Sequence, residues 1–173
     1  PQWIATKAGA FGNAPSLHRA IAAIHARQQD TNRGIMSAHL PVIGITMGDA
    51  AGVGPEIIVK SFASPALYTM ARAAVIGDAR RLQLANELLG LNVRVHAIQS
   101  MDEARFEPGV IDCIDLPLVP ADLPFGKLSS IAGDAAFRFI DKAVELAKAG
   151  QIDAICTAPL NKEAMASAGI RYP

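Results

Sequence analysis

Aromatic residues are scarce in this chain, at 5% of 173 positions, and neither sign of charge is in excess. Sixteen lysines and arginines balance sixteen aspartates and glutamates. A net charge of zero leaves no electrostatic footprint for nucleic acid or an anionic membrane surface, so neither is expected as a partner. There are two cysteines, Cys113 and Cys156, too few for a disulfide framework or a zinc-ligand spacing. Both lie in apolar runs and read as buried thiols in strands. No apolar run reaches the roughly 18 residues that a membrane helix needs. No basic-then-apolar signal peptide opens the chain, and the expected compartment is the cytoplasm. The four histidines, His18, His25, His39 and His96, are too scattered for a metal triad and read as surface or satisfied side chains. No serine–histidine pair or pair of carboxylates is placed for catalysis.

What is present is the composition of a folded globular chain, 51% hydrophobic and 18% charged. It divides into two unequal pieces. Residues 1–35 hold a short apolar stretch, a glycine-bearing turn at Gly9 and Gly12, and a helix with Leu17, Ala20, Ile21 and Ile24 on one face. A polar linker follows, and Met36 is a candidate independent start. Opening on Pro1 and stopping at Pro173 after a helical segment, the chain reads as a piece of a longer protein.

Residues 36–173 alternate strand and helix. Strands are expected at 42–46, 73–77, 93–98, 110–114 and 152–157. Helices are expected from Pro55 to Ser61, after the cap Asp78, from Ser130 or Gly133 to Gly150, and from Asn161 to Ala168. The inner face of the second of these helices is read as Leu82, Ala85, Leu88 and Leu89. This alternation predicts an α/β fold with a mostly parallel sheet and helices on both faces.

Two motifs stand out. Gly48-Asp49-Ala50-Ala51-Gly52-Val53-Gly54-Pro55-Glu56 follows a strand and opens a helix. Its glycines let the backbone turn tightly and approach a ligand, and the helix N-terminus behind them favours an anion. It is neither the dinucleotide fingerprint nor a phosphate loop. The alternative is a plain tight connection with Asp49 as a turn former. Thr157-Ala158-Pro159-Leu160-Asn161-Lys162-Glu163 also follows a strand, at the carboxyl edge of the sheet where ligands of open parallel sheets collect. Lys162 can meet a phosphate or carboxylate as a point charge. The alternative is a solvated helix start capped by Asn161.

The stretch from Ile45 to Ile57 resembles the opening motif of the 4-hydroxythreonine-4-phosphate dehydrogenase family. Thr157 to Ala164, then Ala168-Gly169-Ile170 and Tyr172-Pro173, resembles that family's second motif, and Gly126-Lys127 and Gly133 to Ala136 match between them. The resemblance covers about residues 40–173. One departure is Ala50, where the family usually has proline. The resemblance implies an NAD- and divalent-metal-dependent dehydrogenase, homodimeric when complete, that oxidises and decarboxylates a phosphorylated four-carbon hydroxy acid. The candidate substrate contacts, from their place at strand ends and helix starts, are Asn161, Lys162, Thr157 and Asp49, with Gly48, Gly52, Gly54 and Glu56 shaping a loop and helix start; the resemblance implies that the metal ligands lie beyond Pro173. Leu160-Asn161-Lys162-Glu163 and the leader lean towards the 4-phosphothreonate or 4-phosphoerythronate branch over the pyridoxal phosphate branch. Residues 1–35 resemble the C-terminal end of the four-carbon acid sugar kinase family, with Gly9 and Gly12 as a nucleotide turn. The rival is a translated upstream region. A reading from another class is a non-catalytic anion-binding or interaction module.

Overall fold

The computed structural model describes residues 40–171. The leader, with Gly9 and Gly12, lies outside the described residues. Five strands form one sheet: β1 (Val42–Thr46), β2 (Arg72–Gly77), β3 (Arg94–Ile98), β4 (Val110–Asp115) and β5 (Ala154–Thr157). Their order is β3-β4-β2-β1-β5 and every pairing is parallel. Five helices join them: α1 (Gly54–Phe62), α2 (Pro65–Met70), α3 (Ala79–Leu89), α4 (Ser130–Lys148) and α5 (Lys162–Ser167). The expected parallel sheet is therefore present.

The connections β1-α1-β2 and β2-α3-β3 step along the sheet in one direction, and β4-α4-β5 steps back in the other. Right-handed crossovers place oppositely directed connections on opposite faces. Accordingly α1 packs on α3 over one face, while α4 lies along β1, β2 and β5 on the other. The core fills both spaces, with Phe62 and Leu82 from α1 and α3, Phe139 from α4, and Ile76, Ile111 and Ile114 from the sheet.

Local chemistry explains the boundaries. Asp78, 1% exposed, accepts from the backbone N–H groups of Arg80 and Arg81 and so caps α3. Ser129 and Asn161 cap α4 and α5 in the same way. Gly133 lets α4 approach α5, because a Cβ there would strike the backbone of Ala164 and lie 2.6 Å from Met165 N.

Three readings need correction. Leu88 is 68% exposed, so the inner face of α3 is Leu82 and Ala85 with the half-buried Leu89. Cys113 is buried, but Cys156 is exposed, because β5 is the sheet's edge among the described residues and all four of its residues are open to solvent. A sequence run as apolar as Ala154-Ile155-Cys156 cannot by itself distinguish an edge from a centre. The short helix α2 and the 3₁₀ turn Met101–Glu103 were not expected. His96 is a satisfied histidine, its Nδ1 lying 2.7 Å from the buried carboxylate of Asp112. Asp112 also accepts from the N–H groups of Arg105 and Phe106, which holds Phe106 at a φ of 53°.

Candidate functional site

Strands β1 and β5 are neighbours, with Thr46 level with Thr157. After Thr46 the chain turns to α1 on one face, and after Thr157 it turns to α5, which packs on α4 over the opposite face. Two adjacent parallel strands whose connections part to opposite faces make a topological switch point, the place where open α/β sheets bind ligands. Both motifs meet here, although Asp49 and Pro159 are separated by 110 positions.

The two loops are stitched together. The Ala158 N–H donates to Thr46 O at 3.1 Å, and the Asp49 N–H donates to Pro159 O at 2.9 Å. Gly48 adopts a φ of +69°, and a Cβ on it would strike Pro159 O and lie 2.7 Å from Ala158 O. Only glycine suits that position. Asp49 is 8% exposed and its Oδ1 accepts from the Ala51 N–H at 2.9 Å, closing the turn. Gly52 donates to Asp49 O, and Gly54 begins α1. The residue preceding α1, Val53, offers no side-chain cap, and Pro55 in the first turn carries no N–H that would need one. Glu56, in that first turn, pairs with Lys60 at 2.8 Å.

The second motif divides. Thr157 stands exposed at the end of β5. Asn161 uses its side-chain oxygen to cap α5, accepting from the Ala164 N–H at 3.1 Å. Lys162 forms no ion pair among the described residues and lines a cavity of about 570 Å³ with Leu160, Ile140, Met165, Ile170 and Arg171. Asp49 and Thr157 thus lie just after and at the ends of the paired strands β1 and β5, whereas Lys162 and Arg171 line a cavity beside α4 and α5.

Sequence reasoning missed Arg81. It is 3% exposed, its Nε donates to Ala50 O and its Nη1 to Leu123 O, both at 2.7 Å. Its guanidinium carbon lies 3.4 Å from the centre of the Phe125 ring. Burial lowers its pKa from the ordinary arginine value, and the nearby Asp78 and Asp49 carboxylates oppose that. Gly126 donates to Ala51 O at 2.7 Å, so residues 123–126 are pinned to the glycine loop twice. Beside this junction lies a cavity of about 400 Å³, lined by Gly52, Val53, Glu56, Leu88, Phe125 and Gly126 among others. The signal was an arginine one turn before Ala85 on the buried face of an amphipathic helix.

Among the described residues no group of three or more His, Cys, Asp or Glu side chains can hold a metal ion. What these residues can do chemically is bind an anion and fix the loops around it.

Three comparisons place this geometry. The family model described as pyridoxal phosphate biosynthetic protein PdxA matches residues 69–173. D-threonate 4-phosphate dehydrogenase of Cupriavidus necator is 59% identical over 138 residues, 80% of this chain and 41% of that protein. The structure of a 4-hydroxythreonine-4-phosphate dehydrogenase from Burkholderia phymatum superposes with a TM-score of 0.77 at 61% identity, covering 78% of this chain and 41% of the other. The corresponding enzyme from Klebsiella pneumoniae gives a TM-score of 0.73 at 43% identity, covering 79% and 41%. The chain spans about 41% of the length of the Cupriavidus relative. With its parallel sheet, its paired motif loops and a family match over most of its length, the chain belongs to the family of the pyridoxal phosphate biosynthetic protein PdxA.

Proposed function

We propose that the full-length protein carrying this chain is an NAD-dependent dehydrogenase of a phosphorylated four-carbon hydroxy acid, 4-phosphothreonate or 4-phosphoerythronate. The observation that carries the reading is the junction of the two motif loops at the switch point, in a chain 59% identical to a D-threonate 4-phosphate dehydrogenase. The 61% identical Burkholderia structure bears the name of the pyridoxal phosphate branch, and 4-hydroxythreonine-4-phosphate is the alternative substrate.

In this reading NAD would supply the hydride acceptor and a divalent metal, held by residues outside this chain, would supply Lewis-acid chemistry at the alcohol of an acid that decarboxylates on oxidation. The chain's own residues bind and orient. The start of α1, which no side chain caps, offers backbone donors to an anionic group. Thr157 offers a hydroxyl at the strand end, Asp49 holds the loop's shape, and Asn161 fixes the start of α5 beside Lys162. Lys162, with Arg171 across the same cavity, attracts a phosphate or carboxylate. The unpaired thiols suit a reducing compartment such as the cytoplasm, and a homodimer is the proposed assembly.

The test is Lys162→Ala in the full-length protein, with NAD and each of the three phosphorylated acids. A charge-assisted hydrogen bond is worth about 1.5–3 kcal/mol, so KM for the acid should rise roughly ten- to hundredfold. An unchanged kcat/KM would make Lys162 a solvated helix-start residue. Inactivity of the unmodified enzyme on all three acids would remove the functional reading altogether.

A further inference from the structure

Arg81 has the profile of a working part rather than of core filling. A fully buried cation is costly unless its hydrogen bonds offset the lost hydration. Arg81 ties three segments. Its backbone belongs to α3, its Nε holds Ala50 O in the glycine loop, and its Nη1 holds Leu123 O in the proline-rich loop, each at 2.7 Å. The guanidinium plane lies against Phe125 at 3.4 Å. Among the described residues its Nη2 is one of two buried side-chain nitrogen or oxygen atoms without a hydrogen-bond partner. The other is Thr46 Oγ1, on the residue that leads into the same glycine loop.

The bonds run to main-chain carbonyls, not to a carboxylate, so the arginine does not merely neutralise a buried charge. It sets where residues 50–52 and 123–126 stand relative to each other. The Gly126 N–H to Ala51 O bond closes the same junction. Phe125 and Gly126 face Gly52, Val53 and Glu56 across one cavity, so displacing either loop reshapes that wall.

We propose that Arg81 is a positioning residue of the enzyme, holding the glycine loop and the Leu123–Gly126 segment as a rigid wall of the substrate or cofactor site. This rests on the dehydrogenase reading above for the identity of the reaction, but not for the mechanical role. A lysine cannot reproduce it, because a single ammonium on a flexible stem lacks the planar fork that meets two carbonyls while stacking on a ring.

The experiment uses the full-length protein with Arg81→Lys, Arg81→Met and Phe125→Leu, assayed well below each variant's melting midpoint. With NAD and the phosphorylated acid that the unmodified enzyme turns over, both Arg81 variants should show KM for acid or cofactor raised about tenfold or more, kcat changing less. Phe125→Leu should fall between them and the unmodified enzyme. Backbone amide hydrogen exchange supplies a readout independent of turnover. Amides of residues 49–54 and 123–126 should exchange faster in the Arg81 variants, while those of β1, β2 and β4 keep their protection. Unmodified kinetic constants, or unchanged exchange at those two segments, would overturn the proposal. Loss of the fold in all three variants would also overturn it, by assigning Arg81 to global stability. Should the unmodified enzyme not oxidise any of the acids, the functional reading fails, and the exchange measurement alone decides whether Arg81 holds the loop.

Discussion

A single methyl group separates a working loop from a broken one at position 48. Gly48 sits at a φ of +69° with the carbonyls of Ala158 and Pro159 in the space a Cβ would occupy. The left-handed conformation alone costs an L-residue about 1–2 kcal/mol, and the clash is with main chain, which cannot rotate away. Gly48→Ala should therefore lower stability by at least about 2 kcal/mol. It should also break the Asp49 N–H to Pro159 O bond that joins the motifs. Urea unfolding of the variant against the parent checks this, and a loss under about 0.5 kcal/mol would mean that the loops yield at little cost. The glycine itself was legible as a turn former. Its clash with Pro159 was not, because contact across 110 positions depends on which strands are neighbours.

Among the elements, those with strong local signals read through. The 3.6-residue spacing of Ala136, Phe139, Ile140 and Ala143 gives α4, and Asp78 announces α3 by its capping side chain. Helix α2, six residues with no buried side chain, carries no such stripe, which is why it was not foreseen. The exposure of Cys156 was likewise illegible, since hydrophobicity reports the preference for burial and not a strand's place in the sheet. Asp49 and Asn161 were read as candidate ligand groups, and each makes a local turn or cap bond that a sequence pattern cannot weigh against ligand contact.

Helix α2 is anchored by Tyr68. Its hydroxyl donates to Phe62 O at 2.6 Å and accepts from the Gly109 N–H at 2.9 Å, and its ring meets Phe62 edge-on at 6.3 Å. Partial burial raises the phenol's pKa above its ordinary value of 10.0. The folded state thus holds this proton more tightly than the unfolded chain. The resulting stability is fully present below pH 10 and is lost as pH rises through the raised folded value. Burial also pushes the Cys113 thiol well up, with the same sign. Tyr68→Phe should cost about 1 kcal/mol at neutral pH and should flatten the loss of stability above about pH 10. Urea melts from neutral to alkaline pH test both parts, and an alkaline slope identical in variant and parent would show that Tyr68 contributes none of it.

At the scale of the whole molecule, the buried cluster among the described residues runs from Met47 to Ala158. Deleting residues 1–35 should shift Tm by no more than about 3 °C, corresponding to less than about 1 kcal/mol. A larger loss would make the leader part of the dehydrogenase fold and end its reading as the tail of a kinase. The 173-residue chain alone should form no NADH from NAD and 4-phosphothreonate or 4-phosphoerythronate, because it spans about 41% of its dehydrogenase relative. Metal-stimulated NADH formation by the purified chain would refute this.

The outer rim of β5 has a colloidal consequence. Among the described residues β5 pairs on one side with β1 and on the other with nothing, and Ile155 is 38% exposed. A row of open backbone donors and acceptors beside apolar side chains is a template for any extended peptide of matching register. Among the described residues β5 is thus an adhesive edge: concentrated samples should clump through it, and a lysine on its exposed rim should keep them dispersed.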